Sequence, residues 1–352
     1  MPEFLVVLAM SLVSAPTTSD GRRRSTPYSA QSTGGIMKRH LLTAMLGLLT
    51  LAMASGQDAQ VTPLAPGVFF WQGNTEIRRP ANCVWVVFRD YVLVLDANFP
   101  WGAREILQAI QRTTDKPVRF VFNTHYHADH GFGNAVFVDA GATIVSSRQC
   151  SEESMSKGEA DWRNQVLNRG QRPNATEHDT AVAAETRARG YRLEHPTLLF
   201  DGHLTFDDGE QRVELVHVGP GHTIGDAVAY LPKEKILVTG DLCVNWANGN
   251  NTGDRDADHE NWIKALELLA RWDVKIVVPG HGRIGGTEVL RGQRDYLAAI
   301  VEHVRGGIKA GKTVDQLTQE IDLSRHQPWA TTSGANASAI RAVHRKLSGQ
   351  AR

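Results

Sequence analysis

The feature that most constrains this chain is a cluster of metal-binding side chains directly after an apolar run. The run, Val118 to Phe122, has the length and composition of a buried strand. In an extended segment side chains alternate, so His125 and His127 are predicted to project to the same side. A turn after them is expected to redirect Asp129 and His130. The four candidate ligands occupy six positions, His125-Tyr126-His127-Ala128-Asp129-His130. Imidazole and carboxylate together favour zinc or iron over magnesium or calcium.

Three later segments add a distant His, an Asp and a last His to this cluster. They are Gly219-Pro220-Gly221-His222, Val238-Thr239-Gly240-Asp241 and Val278-Pro279-Gly280-His281. The whole pattern resembles the metallo-β-lactamase superfamily, whose signature is His-x-His-x-Asp-His followed by these three residues. The resemblance covers roughly residues 61 to 290. It implies an α/β fold, the αββα sandwich of two mixed β-sheets with outer helices.

The resemblance also implies how the ligands are divided between two ions. The first ion would be held by His125, His127 and His222, the second by Asp129, His130 and His281, and Asp241 would bind both. Two zinc ions per chain are expected, with iron or manganese as alternatives. Asp129 is also the candidate catalytic residue, because it could relay a proton to the leaving group. A purely structural metal site is disfavoured, because structural zinc is usually four-coordinate, closed and rich in Cys.

A repeated order of elements predicts the architecture from the residues themselves. Each half of the chain has an apolar hairpin that ends in an Asp, then a helical pattern, then a strand that leads to a His. The first copy comprises residues 84–96, 103–113 and 118–125, and the second comprises residues 227–241, 260–271 and 274–281. Two packed sheets with helices outside would follow, with the metals in the groove between the sheet ends.

The repeat assigns different roles to the two aspartates that end the hairpins. Asp241 falls at the position of the superfamily's metal-bridging carboxylate, whereas Asp96 is its counterpart in the first half. We expect Asp96 to hold the ligand loop by hydrogen bonds, and a plain turn-forming Asp is the alternative. Cys243 follows Asp241 by two positions, so a ligand role for Cys243 stays open beside that of a core residue.

The remaining segments carry weaker expectations. Residues 148–195 are strongly polar and predict surface helices, which form either a wall of the groove or, preferably, a solvated face. The Asn- and Asp-rich loop 245–259 begins at a metal-ligand strand and should lie near the groove, where Trp246 could touch substrate. Residues 287–310 and 335–347 have helical patterns.

Charge and composition restrict the partners. The chain has 38 basic and 38 acidic side chains and is 41% hydrophobic, as in ordinary globular proteins. Arg22-Arg23-Arg24 is the one basic run in the sequence, so no nucleic-acid partner is expected. A small-molecule substrate is the expected partner.

The N-terminal region has the features of an export signal. Met37-Lys38-Arg39-His40 is a basic start, Leu41 to Met53 is an apolar core and Ala52-Met53-Ala54 is a small-x-small cleavage site. We therefore expect residues 1–54 to be an upstream segment plus a signal at 37–54, and residues 55–352 to form a single domain with C-terminal helices. The mature protein would be periplasmic or secreted. No stable membrane anchor is expected after cleavage.

The expected activity is that of a dinuclear zinc hydrolase, in which a hydroxide bridging the metals attacks the carbonyl of a lactone, thioester, ester or β-lactam. A mononuclear iron enzyme similar to persulfide dioxygenases is the alternative. A non-catalytic metal-binding protein is a more distant one. Asp241 makes the ligand set more similar to those of glyoxalase II and the lactonases than to those of the β-lactamases proper.

Overall fold

A computed structural model describes residues 61–73, 81–246, 251–254, 256–330 and 332–349. Residues 1–60 lie outside these ranges. The signal segment, the export and the domain boundary at residue 55 therefore stay predictions. Among the described helices, none combines the length and the apolar character that crossing a membrane requires.

The described strands form two large sheets and one small one. In chain order they are β1 Val61–Ala65, β2 Val68–Trp71, β3 Cys83–Val87, β4 Val92–Leu95, β5 Val118–Phe122, β6 Thr143–Ser147, β7 Leu198–Phe200, β8 His203–Asp207, β9 Arg212–His217, β10 Ala227–Leu231, β11 Ile236–Val238, β12 Val244–Asn245, β13 Ile276–Val278 and β14 His281–Gly282. The first sheet runs from β1 to β7 in sequence order, and the second has the order β13-β11-β10-β9-β8. β12 and β14 pair separately.

Helices connect and cover these sheets. The described α-helices are α1 Pro100–Thr113, α2 Ala128–Gly131, α3 Asn134–Asp139, α4 Arg148–Trp162, α5 Glu177–Ala188, α6 His259–Leu269, α7 Thr287–Lys309, α8 Val314–Glu320 and α9 Ser333–Leu347. A π-helical turn, Arg163–Leu167, continues α4. The polar segment 148–195 thus folds into the expected helices.

The main core lies between the two large sheets. Leu93 and Leu95 of β4 pack there with residues of the second sheet such as Leu215 and Ala229. Their neighbours Val92 and Val94 face the other way and pack against α1. β4 is therefore buried on both faces, which explains its unbroken apolar sequence.

Helix α6 covers the outer face of the second sheet in the same manner. Trp262 and Leu266 of α6 pack against Val228 of β10 and Leu237 of β11. The order of layers is helix, sheet, sheet, helix. The predicted αββα sandwich of two mixed sheets is confirmed.

Both copies of the predicted repeat are present. β3 and β4 are antiparallel and β5 lies parallel to β4; likewise, β10 and β11 are antiparallel and β13 lies parallel to β11. Because the carboxyl ends of parallel neighbours meet at one sheet edge, the residues after β4 and β5, and after β11 and β13, are brought together. The backbone N of Ala227 donates a hydrogen bond of 2.9 Å to the backbone O of Thr124, which links the edges of the two sheets.

One expectation about the polar segment is wrong in part. The sequence favours a solvated surface for residues 148–195. Arg169 and Asp179 instead form a buried ion pair, with 2.7 Å between Nε and Oδ1. Glu153 is also buried. Polar composition alone suggested exposure, whereas pairing of opposite charges makes burial of these side chains tolerable.

The C-terminal region forms a further helical layer. α7 and α9 agree with the helical patterns, and α8 was not predicted. Tyr296 and Ile300 of α7 pack with Leu317 of α8 and Ile340 of α9. Val244 of β12 belongs to the same cluster, so this layer reaches the segment that follows Asp241.

Candidate metal centre

The first ligand segment is a loop between β5 and α2. His125 follows the end of β5 by three residues, and His127 occupies the N-cap position of α2 with an extended backbone, φ −62° and ψ 155°. The single helical turn of α2 then redirects Asp129 and His130, as the sequence predicts. The rings of His125 and His127 have centroids 4.8 Å apart, so both side chains face the same region.

The structure brings the seven predicted ligands together in two groups. In each group every residue offers one ligand atom, and those atoms lie within 4.8 Å of one another. The first group is His125, His127, His222 and Asp241, and the second is Asp129, His130 and His281. The sequence predicts the same three residues His125, His127 and His222 for the first ion and the same three residues Asp129, His130 and His281 for the second; their binding of metal stays a prediction.

Asp241 lies between the two groups. Its Oδ1 is 3.2 Å from Nε2 of His130 and 3.1 Å from Nε2 of His281. Its Oδ2 is 3.6 Å from Nε2 of His222, which belongs to the first group. One carboxylate thus presents one oxygen to each group, the arrangement expected of a bridging ligand.

Two glycines make room for this carboxylate. A Cβ on Gly280 would lie 2.0 Å from Oδ1 of Asp241, so a larger residue there would displace the carboxylate. Gly240 has φ +51°, and its Cβ would lie 2.3 Å from Oγ1 of Thr124. The close approach of the Asp241 turn to Thr124 and to Gly280 therefore requires glycine at positions 240 and 280.

Burial and neighbouring charge set the protonation of the histidines. Burial, together with the adjacent imidazoles of His130 and His127, lowers the pKa of His125 well below its usual value. Burial and the His127 ring lower the pKa of His222 to about 4. Both rings are therefore neutral near pH 7, which is the form that coordinates a metal.

The second group carries the opposite shift. Burial alone would lower the pKa of His130, but Asp241, Asp96 and Asp129 outweigh it and raise that pKa. The same competition between burial and Asp241 raises the pKa of His281. Burial would raise the pKa of Asp241, yet His281 and His130 hold it well below the usual range. Both raised pKa values favour proton binding to these imidazoles, and a cation that binds there would compete with those protons.

Asp96 contacts two parts of the ligand loop. Its Oδ2 lies 2.8 Å from Nδ1 of His130, and its Oδ1 accepts a hydrogen bond of 2.8 Å from the backbone N of Thr124. The Thr124 hydroxyl donates to Oδ2 at 2.9 Å. These contacts are those expected of a residue that orients a ligand histidine, rather than of a plain turn residue.

Sequence reasoning missed Asp254. Its Oδ2 lies 3.4 Å from Nε2 of His127, on the side of the ring away from His222. Asp254 belongs to the loop 245–259, which was expected near the groove. The sequence pattern does not distinguish Asp254 from the other aspartates of that loop. Trp246, named as a candidate for substrate contact, packs on the His281 ring with centroids 4.7 Å apart.

Cys243 is buried in the core beside Trp262 and Leu266, and it belongs to neither ligand group among the described residues. Burial raises the pKa of its thiol, which disfavours the thiolate that a metal would need. The structure therefore supports the core role for Cys243.

The donor set fits a pair of first-row transition-metal ions. Five imidazoles and two carboxylates converge, and Nε2 of His125 is buried with no hydrogen-bond partner among the described residues. A buried imidazole nitrogen without a partner is costly unless it binds something. Mixed nitrogen and oxygen ligands suit zinc, iron or manganese.

Known proteins share this sequence pattern. A linear primary-alkylsulfatase from a Pseudomonas species is 23% identical over 256 residues, which cover 64% of this chain and 46% of the relative. A type 2 metallo-beta-lactamase from a Bacillus species is 28% identical over 198 residues, which cover 55% of this chain and 63% of the relative. The chain thus spans less than two thirds of the length of these relatives.

The fold is shared with solved structures. A metallo-beta-lactamase from Pontibacter korlensis matches with a TM-score of 0.54 and 23% identity, covering 68% of this chain and 98% of that protein. The sequence model of the Metallo-beta-lactamase superfamily matches residues 77–281, which is more than half of the chain and contains all seven candidate ligands. On this evidence the chain belongs to the metallo-β-lactamase superfamily.

Proposed function

We propose that this protein is a dinuclear zinc hydrolase that acts on a carbonyl substrate, a lactone, thioester, ester or β-lactam. The observation that carries the proposal is the position of Asp241, whose two oxygens face histidines of different ligand groups. A carboxylate shared in this way supports two ions rather than one. The bound metals would supply a hydroxide nucleophile near neutral pH and polarise the scissile carbonyl.

The two aspartates of the centre differ in access to solvent. The side chain of Asp241 is 6% exposed, whereas that of Asp129 is 21% exposed. Asp241 is therefore suited to holding metal, and Asp129 can also meet a substrate that enters the groove. Oδ2 of Asp129 lies 3.4 Å from Nε2 of His281. From this position the carboxylate could take up the proton released by the attacking water and hand it to the leaving group.

The second candidate reaction is hydrolysis of a sulfate ester. The similarity to the linear primary-alkylsulfatase covers 64% of this chain, more than the similarity to the lactamase does. The same metal centre could act on a sulfate ester, since the ligand groups themselves do not specify the electrophile.

The alternative of a mononuclear iron oxygenase predicts a different metal content. Two complete groups of candidate ligands favour two ions. A content of about two zinc ions per chain would support the hydrolase proposal. About one iron ion per chain, together with oxygen consumption when a persulfide is added, would contradict the hydrolase proposal.

Turnover by the zinc-loaded protein tests the proposal. The substrates are nitrocefin, a lactone, a thioester and a primary alkyl sulfate, and the Asp241→Ala variant prepared in the same way controls for contaminating hydrolases. Hydrolysis of a carbonyl substrate that the variant lacks is the expected result. Activity on the alkyl sulfate alone would replace the carbonyl proposal with the sulfatase one. Failure on all four substrates by protein that binds two zinc ions would overturn both.

A further inference from the structure

The two ring nitrogens of His127 have different neighbours. Nδ1 lies 2.9 Å from Nε2 of His222, inside the first ligand group. Nε2 points away from that group and lies 3.4 Å from Oδ2 of Asp254. If His127 binds metal through Nδ1, its Nε2 must carry the proton, and Asp254 is placed to accept that proton in a hydrogen bond.

The carboxylate of Asp254 is itself oriented. The backbone N of Asp256 donates to Oδ1 of Asp254 at 2.9 Å, which leaves Oδ2 facing His127. The segment consists of residues 251–254 and 256–258, and we refer to it as the aspartate loop. A carboxylate held by its own loop loses less conformational freedom when it orients a neighbouring ring.

The aspartate loop is fastened to the metal centre at both of its ends. The side-chain amide of Asn251 donates to the backbone O of Asp241 at 3.0 Å. Near the other end, Asp256 accepts a hydrogen bond of 2.9 Å from the hydroxyl of Tyr126, the residue before His127. Lys157 of α4 donates to the same oxygen of Asp256 at 2.7 Å. These contacts connect residues on both sides of Asp254 to Asp241 and to the residue before His127.

Helix α9 packs directly on the aspartate loop. A Cβ on Gly253 would lie 2.2 Å from Oγ and 2.9 Å from Cβ of Ser338, so the helix touches the residue next to Asp254. Nζ of Lys346, also on α9, lies 3.4 Å from Oδ2 of Asp258. α9 lies beyond residue 281, where the superfamily match ends.

We infer that Asp254 is a positioning residue that holds His127 with Nδ1 toward the first metal, and that the C-terminal helix α9 keeps Asp254 in place. The inference rests on the proposed metal centre. It assigns a role in that centre to a helix that contributes none of its candidate ligands.

Metal affinity tests the role of Asp254 without relying on turnover. Zinc affinity of the first site is measured by competition with a chromophoric chelator, and cobalt-substituted protein reports the ligand geometry by its visible absorption. We expect Asp254→Ala to weaken zinc binding by about 10- to 100-fold and to change the cobalt spectrum. Asp254→Asn should lose less zinc affinity than Asp254→Ala, because the amide oxygen of Asn can still accept a hydrogen bond from Nε2–H of His127. Asp201→Ala, which removes an exposed carboxylate, is the control.

Two glycine variants test the contribution of α9. Gly253→Ala forces the aspartate loop away from Ser338 and should weaken zinc binding in the same direction as Asp254→Ala. Gly334→Ala adds the same methyl group to α9 where nothing lies within 4 Å, and it should leave affinity unchanged. In the double variant, Gly253→Ala should add little to Asp254→Ala, since both act through one contact.

The outcomes separate this inference from the proposed function. A wild-type protein that binds no zinc would overturn the proposed function. A zinc-binding protein whose affinity and cobalt spectrum are unchanged in Asp254→Ala would overturn the positioning role alone. Equal losses of zinc affinity in Gly253→Ala and Gly334→Ala would contradict the role of α9. Fully additive losses of zinc affinity in the double variant of Gly253→Ala and Asp254→Ala would contradict it as well.

Discussion

Oδ2 of Asp96 lies 2.8 Å from Nδ1 of His130. Both groups are buried, and Nε2 on the far side of the same ring lies 3.2 Å from Oδ1 of Asp241. When Nδ1–H of His130 donates a hydrogen bond to Asp96, Nε2 is the ring nitrogen that is left to bind a metal ion in the second ligand group. We therefore predict that Asp96 selects the His130 tautomer that can bind metal.

Replacing Asp96 by Asn should therefore weaken the second metal site while the fold is kept. Asn also tolerates the positive φ of 67° found at this position. If the side-chain oxygen of the introduced Asn still accepts the hydrogen bond from Thr124, its NH2 group faces Nδ1 of His130. This arrangement favours the tautomer with the proton on Nε2, which cannot bind metal through that nitrogen. We expect zinc affinity of the second site to fall by about 10- to 100-fold, measured by chelator competition. Unchanged affinity beside the exposed control Asp139→Asn would show that Asp96 only shapes the turn.

Replacing Asp241 by Ala removes the carboxylate that faces both ligand groups. The more weakly bound ion and most of the turnover should be lost. The fold should survive, because the Asp241 side chain packs against the site rather than within the hydrophobic clusters. Metal analysis after dialysis and circular dichroism check the two expectations. A variant with two ions and normal activity would exclude Asp241 as a ligand.

The buried pair of Arg169 and Asp179 should make stability depend on acid pH. Burial alone would raise the pKa of Asp179, but hydrogen bonds from Thr176 and Arg169 outweigh it and lower the pKa to about 2. The pKa is thus lower in the folded state than the value of about 3.9 in the unfolded chain. The ionised pair therefore stabilises the fold fully above pH 4 to 5, and this contribution is lost as the pH falls toward 2.

Urea unfolding of the metal-free protein at pH 6 and pH 3 measures this effect. The lower pKa of Asp179 in the folded state corresponds to a stabilisation of about 2 to 3 kcal/mol at pH 6. Asp179→Asn should be less stable than the wild type by an amount of this order at pH 6, and the difference should narrow at pH 3. A difference that is the same at both pH values would mean that the charge of Asp179 does not contribute. Asp139→Asn, at an exposed ion pair, should show little effect at either pH.

The clustering of the candidate ligands and the layered architecture could be predicted because both depend on short-range pattern. The apolar strand before His125 and the repeated order of hairpin, Asp, helix and strand are visible in the sequence, and together they place Asp241 and His281 at one edge. Asp254 could not be selected, because its contact with His127 depends on the path of an irregular loop. The burial of Arg169 with Asp179 depends on tertiary pairing across ten positions, which composition does not reveal.

Helix α8 was missed for a related reason. Its seven residues include one buried apolar side chain, Leu317, so no periodic stripe marks it. Its start is instead defined by a capping box between Thr313 and Gln316. Such a local signal specifies a boundary, and it becomes informative only when packing against α7 and α9 supports the helix.

The N-terminal signal leads to a prediction about the mature protein. Residues 37–54 have the charge, length and small residues of a signal peptide. N-terminal sequencing of protein recovered from the periplasm or medium should therefore begin within a few residues of Ser55. Recovery of intact Met1 on protein from the cytoplasm would contradict the export prediction.

The last prediction separates metal binding from proton transfer at Asp129, whose side chain is more exposed than that of Asp241. Asn keeps an oxygen that can coordinate but cannot exchange a proton near neutral pH. Asp129→Asn should keep the first metal, whose candidate ligands are His125, His127 and His222. Turnover should nevertheless fall by about 100-fold or more if general acid–base catalysis is lost.

The size of that fall should depend on the leaving group. A lactam nitrogen needs protonation to depart, whereas a thiolate leaves readily without it. In metal-replete Asp129→Asn, the loss of kcat on nitrocefin or another lactam should therefore exceed the loss on a thioester. The ratio of the two losses is the quantity to measure, since any general damage to the centre cancels in it. Equal losses would mean that Asp129 only holds the second ion, and the proton-relay role would have to be dropped.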